Sequence, residues 1–233
     1  MALGLNTGSN ADILPYVRYD ARSGRLHRID RSQGADGVWR SDSIDITQPP
    51  PSFVMDLAQI EVGWLHFSPS GPSLHLVPYG QPLPPQPSAD HKQGFRVKLF
   101  APKLLGGVRV FTANAKSVIG AMDPLHSAYL AAPESAQGLL PVVTMVTTTP
   151  IISRGPQGNS TNYAPVFRIE KWVPRPAELT PDGLAQRGQQ QAPATGSAPA
   201  HVAPSPAPPS VAPPPAQHVP PPPAISAVHD TEF

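Results

Sequence analysis

Cations alternating with aromatic rings are the chemistry this sequence offers. In the stretch from Gly94 to Phe100, a period of two puts Arg96, Lys98 and Phe100 on one side of a strand and Phe95, Val97 and Leu99 on the other. The second set reads as a core face, the first as an open one. From Gly107 to Thr112 the same period pairs Arg109 with Phe111, opposite Val108 and Val110, and Arg18 stands between Tyr16-Val17 and Tyr19. An exposed sheet face of this kind suits single-stranded nucleic acid: the cations neutralise phosphates, and the rings stack on unpaired bases. The competing reading is a solvated face whose edge ring packs on a helix. Trp64, Tyr79 and Trp172 are further rings that serve either as stacking platforms or as core anchors. Arg168, Glu170 and Lys171 make an ordinary strand end of mixed charge as readily as a phosphate contact.

Nothing in the sequence specifies catalysis. It contains no Gly-x-x-x-x-Gly-Lys phosphate loop, no Gly-x-Ser-x-Gly elbow and no Gly-x-Gly-x-x-Gly dinucleotide turn. The 8 histidines lack His-Glu-x-x-His and His-x-His spacings. His66 and His75 come within reach of each other across a hairpin, but no carboxylate cluster joins them to complete a metal-ligand set. With no cysteine there are no disulfides, thiol nucleophiles, iron–sulfur clusters or cysteine-based zinc sites. The expectation is a non-enzyme without cofactor or metal, in a reducing compartment. The first ten residues have no basic region or apolar run, and no window of 18 apolar residues occurs, so neither secretion nor membrane insertion is expected.

The elements that must position these residues are mostly strands. Leu14–Asp20 and Leu26–Ile29 flank the turn chemistry of Arg22 to Arg25, and Val38–Thr47 follows before Pro49 to Pro51 stops it. Phe53–Phe67 is the densest apolar block; its second half reads as a long strand with Gly63 marking a bulge. Leu74–Tyr79, Gly94–Phe100, Gly107–Thr112, Leu139–Thr149 and Val166–Val173 complete the strands, and Ser153–Ala164 reads as a loop. One helical pattern covers Asn114–Ala132, capped by Thr112 or Asn114 and broken at Pro124 into two short helices, the second capped by Asp123. About nine short strands with one helical insert and no βαβ alternation predict a mainly β fold, an OB-like barrel ahead of a small barrel or sandwich.

The 34 prolines divide the chain. Residues 181–233 hold 14 of them and no aromatic residue before Phe233, so the body is 1–180 and 181–228 is a Pro/Ala-rich linker that forms no core and is expected to be disordered. The body carries 16 basic and 13 acidic side chains, a net of +3, and the remainder a net of −2. The last residues, 229–233, combine Asp230, Glu232, the terminal carboxylate and the Phe233 ring, which is a compact ligand for a basic-rimmed apolar pocket.

This layout resembles the single-stranded-DNA-binding proteins of bacteria and tailed phages, in the acidic tip Asp230-Thr-Glu-Phe233 by sequence and in the body by architecture. Gly94 to Lys98 and Ile169 to Pro176 have the character of phage or prophage proteins of this type. The resemblance implies an OB fold, a tail that recruits replication and repair proteins and competes with DNA for the basic groove, and a cytoplasmic site of action in a bacterial host. On that reading Arg18, Arg96, Lys98 and Arg109 track phosphates, Trp64, Phe100 and Phe111 stack bases, and Asp230, Glu232 and Phe233 dock partners. The alternatives are a phage structural or assembly protein with an oligomerising β body, and an adaptor whose Pro-rich segment is itself the ligand.

Overall fold

A computed structural model describes residues 15–180, apart from Ser70, Pro156 and Gln157. The chain divides into two units, Met1–Pro193 and Ala194–Phe233, and every described residue belongs to the first. The linker 181–228 and the tip Asp230, Glu232 and Phe233 lie outside the described residues.

Among the described residues ten strands follow one another as β1 (Tyr16–Asp20), β2 (Arg25–Gln33), β3 (Trp39–Asp45), β4 (Ser52–Met55), β5 (Glu61–Ser68), β6 (Gly71–Pro78), β7 (Lys92–Ala101), β8 (Gly107–Ala113), β9 (Leu140–Gly155) and β10 (Gly158–Val173). Helices α1 (Pro102–Leu105), α2 (Lys116–Ala131) and α3 (Pro133–Ala136) fall between β7 and β9. The fold is mainly β, built on one open mixed sheet in the order β10-β9-β4-β7-β8-β1-β2-β3. β5 joins the same edge of β7 as β4, further toward its start, and carries β6 beyond it. One short pair, β1 with β8, is parallel. No helix among the described residues is long and apolar enough to cross a membrane.

Burial alternates along β7 as its residue types demand, with Phe95, Val97, Leu99 and Ala101 buried and the residues between them half-exposed. The inner face so defined continues through Val17, Phe111, Met55, Phe53, Val143 and Met145, and α2 lies against it with Val118, Met122, Leu125 and Tyr129. A smaller cluster of Val108, Leu140 and Leu179, joined by Val54 and Phe100, forms on the outer face.

Several local expectations give way to tertiary pairing. Pro124 does not divide the helix, which runs unbroken through it. Burying α2's four inner side chains gains about 1.5–3 kcal/mol each, more than the roughly 3 kcal/mol that an interior proline costs. Neither Thr112 nor Asn114 caps it: Ala115 holds the cap position, and the Asn114 amide reaches the Leu65 carbonyl instead. Ser153–Ala164 is not a loop, because β9 and β10 pair continuously to Gly155 opposite Gly158. Beyond the sheet this ribbon exposes both faces, so no apolar alternation announces it. Gly63 is not a bulge either, since it pairs in register with Gly94 and Leu76. A Cβ on Gly63 would collide with the His75 carbonyl and one on Gly94 with that of Ala113, so these glycines let β5 close up on β6 and β7 on β8.

The C-terminal segment is locked down. Arg175 makes a bidentate pair with the fully buried Asp56 carboxylate, at 2.6 and 2.8 Å, and Leu179 plugs the outer cluster. At the far end of the strand path, the Tyr163 amide donates to the Ala21 carbonyl and the Tyr19 hydroxyl donates to the Tyr163 carbonyl, so β10 touches the turn that follows β1.

Candidate nucleic-acid interface

Register decides which cations and rings share a surface. Antiparallel pairing of β7 with β8 sets Lys98 opposite Val110, Leu99 opposite Arg109 and Val97 opposite Phe111. Arg96, Lys98 and Phe100 therefore face outward, whereas Arg109 and Phe111 face inward. The expected joint surface of the two strands does not exist.

The inward pair is structural. Phe111 is 1% exposed and meets Phe95 edge-to-face at 5.5 Å, so it offers no ring to a base. Arg109 is 7% exposed; it donates to the carbonyls of Leu105 and Ile29 and pairs with Asp30. Arg28 pairs with the same carboxylate and also donates to the Leu104 carbonyl. This network ties β2 and β8 to the end of α1, where unpaired carbonyls need donors, and leaves Arg109 nothing for a phosphate. Two more expected stacking rings are occupied: Phe100 packs in the outer cluster under Leu179, and the half-buried Trp64 indole donates to the Pro84 carbonyl at 2.8 Å. Trp172 lies stacked on Tyr129, with ring centroids 5.9 Å apart.

What remains outward forms a compact platform. Val110 pairs with Tyr16 and Tyr16 with Ile29, so Lys98, Val110, Tyr16 and Ile29 make one row across β7, β8, β1 and β2. The neighbouring row begins with Arg96 and Thr112, and one further step of the β1–β8 register brings Arg18 level with them. Lys98 and Tyr16 are thus two strand spacings apart, about 10 Å. Arg31, two residues beyond Ile29 on the same face of β2, places its guanidinium 5.9 Å from the Tyr16 ring centroid. Arg18, Arg31 and Lys98 form no ion pair with a described residue, whereas Arg96 is held by Glu61 in a two-point contact at 2.6 and 2.9 Å.

The acids of this face are already engaged. The Ser23 hydroxyl and the Arg22 amide donate to Asp20 and lower its pKa. Asp45 is lowered to about 2, first by Thr47 and then by Arg25. Both carboxylates stay ionised near neutral pH and are held in their own turns. Arg31 lies beyond the strand expected over Leu26–Ile29, but β2 runs on to Gln33, and the alternation Arg25, His27, Ile29 carried one step further reaches it.

A second cluster gathers elsewhere. His91, from the Pro-rich loop, inserts its buried ring between His66 and His75, with centroids 5.4 and 5.3 Å away. Ser88 bonds its Nδ1 and Ser73 its Nε2, and Ser73 also reaches His75. Burial, and then the two neighbouring imidazoles, lower the pKa of His91. Among the described residues no group of three or more His, Asp or Glu is placed to hold a metal ion. No protein-family model, curated protein or solved structure matches the chain.

Proposed function

We propose that the protein binds single-stranded DNA on the outer face of its sheet, coating and protecting unpaired strands. The observation that carries the reading is the Tyr16 ring, two strands from Lys98 and 5.9 Å from the Arg31 guanidinium, with Arg18 next along β1 on the same face. A half-buried ring flanked by cations that form no ion pair with a described residue stacks a base while its neighbours hold the backbone. The body's charge is modest, so affinity rests on this local arrangement more than on a long-range field.

An OB-like barrel remains our finer reading of the architecture. It is supported by the contact of Tyr163 with Tyr19 and Ala21, which brings β10 to β1, and by helix α2 packed over the inner face. In the same proposal Asp230, Glu232 and Phe233 recruit replication or repair proteins, the chain is of phage or mobile-element type acting in a bacterial cytoplasm, and no catalysis is involved.

A second reading, an assembly protein that self-associates, is favoured by the β9–β10 ribbon, whose Ile151 and Ile152 are 41% and 65% exposed. Fluorescence anisotropy of labelled oligo-dT with the full chain across a salt series, against duplex of equal length, separates the two. Strand-selective binding that weakens with salt supports the coating role; equal affinity for duplex and single strand, together with concentration-dependent oligomers in sedimentation, supports assembly.

A further inference from the structure

A cleft of about 230 Å³ opens between α2 and the loop after β6. Val62, Phe95, Ile119 and Met122 form its apolar wall, and Gln93, Asp123 and His126 supply its polar groups. Phe95 belongs to the core under α2, and Gln93, two positions earlier on β7, shares its side of the strand, so the cleft lies on the inner face and away from the cationic platform. Tyr79 stands exposed at the mouth, its ring edge-on to His126 at 4.4 Å. The volume falls below the roughly 300–1,000 Å³ of sites that enclose a drug-sized ligand, so it suits a single inserted side chain.

Charge narrows the kind of side chain. Neither Lys nor Arg is among the lining residues, and Asp123 forms no ion pair with a described residue. Burial lowers the pKa of His126, and Asp123 offsets this only in part, so the ring is neutral near pH 7. The cleft therefore carries one negative charge beside an aromatic ring, which repels an anion and attracts a cation. The surface around the mouth is apolar. Leu83 lines the cleft and is exposed, and Leu130, one helical turn after His126 on the same side of α2, is exposed as well. Large apolar side chains gathered in water around a charged pocket are the make-up of a docking surface.

We propose that this cleft docks a protein partner that inserts an arginine side chain flanked by apolar residues. The guanidinium meets Asp123 and lies against Tyr79, its stem runs along Ile119 and Met122, and the flanking residues cover Leu83 and Leu130. A lysine fits less well, because its compact, strongly hydrated ammonium neither stacks on a ring nor makes a two-point contact with a carboxylate. The inference goes beyond the nucleic-acid reading and does not depend on it, since it concerns the opposite face of the sheet.

The test is an NMR titration of the full chain with three peptides: acetyl-Leu-Arg-Leu-amide, its citrulline counterpart, which keeps the shape and lacks the charge, and acetyl-Gly-Arg-Gly-amide. The leucine-flanked arginine peptide should shift the amide signals of Ile119 to His126 and bind about 10-fold more tightly than the citrulline peptide. Asp123→Asn should level those two affinities. The glycine-flanked peptide should bind wild type about 10-fold more weakly, and Leu130→Ser should narrow that gap. Asp123 and Leu130 are both exposed, so neither change disturbs the core. Equal binding of the arginine and citrulline peptides, or no shift along α2 at millimolar peptide, overturns the site. Equal affinity for the leucine- and glycine-flanked peptides overturns the docking surface.

Discussion

Strands β7 and β8 carry the same alternation of cation and ring, lie side by side, and put it to opposite uses. In β7 the cations look outward over Val110 and Tyr16; in β8 Arg109 and Phe111 are walled in against Leu99 and Val97. The difference arises from register alone, because α1 and its turn join the strands so that odd residues of β8 meet odd residues of β7. A cation in a strand is thus a binding group or a structural tie according to which neighbour it meets, and its own flanking residues look alike in both cases. Arg109 reaches three partners across β2 and α1, while Lys98 has no ion pair with a described residue.

Substitutions can break this contrast, beginning inside. Phe111→Ala should cost about 3–5 kcal/mol of stability in urea unfolding, through the cavity left against Phe95. Arg109→Ala should cost about 1.5–3 kcal/mol, since Asp30 keeps Arg28 but two carbonyls lose a charged donor. Neither should change the salt dependence of oligo-dT binding measured below the unfolding transition. On the outer face the pattern reverses. Tyr16→Ala should lose about 1–3 kcal/mol of binding by anisotropy if its ring stacks a base. Lys98→Ala should leave stability within about 0.5 kcal/mol and reduce the slope of log affinity against log salt by about 1. An unchanged slope would remove Lys98 from the phosphate track.

Acid gives the mildest test. His91 and His126 both have lowered pKa values, chiefly through burial, and the nearby Asp90 and Asp123 offset this only in part. The unfolded chain therefore takes up protons more readily than the folded one. The histidine contribution to stability is whole above about pH 6.5 and is lost as pH falls below it. Thermal midpoints at about pH 7.5 and 5.5 should show the drop, and His91→Gln should make it shallower.

The sequence made the strands legible where one side of them is buried. The alternation from Phe95 to Ala101 matches the observed burial residue by residue. It failed where neither side is buried, as along Ser153–Asn162, and where a long-range contact overrides a local signal, as at Pro124. The site divided in the same way. Lys98 and Arg18 were legible as outward cations, because their own strands reveal the buried side. The partners of Arg109 and Phe111 lie on β2, α1 and β7, so no local pattern could show which way these two residues turn. Least legible is the cleft between α2 and the loop after β6, because Tyr79, Gln93 and Asp123, which line it, come from a loop, a strand and a helix far apart in the chain.

The lock at the C-terminal end has a mechanical consequence. Among the described strands β10 pairs only with β9, so a pull on its end would peel it away one hydrogen bond at a time. Arg175, however, fastens the segment to Asp56, just beyond β4 near the middle of the sheet, and Leu179 sits in the outer cluster beyond that. Tension applied past Thr180 is therefore borne first by the plug and the ion pair, in shear against β4 and β7. The fold carries load at its centre, and its most easily unzipped edge is spared.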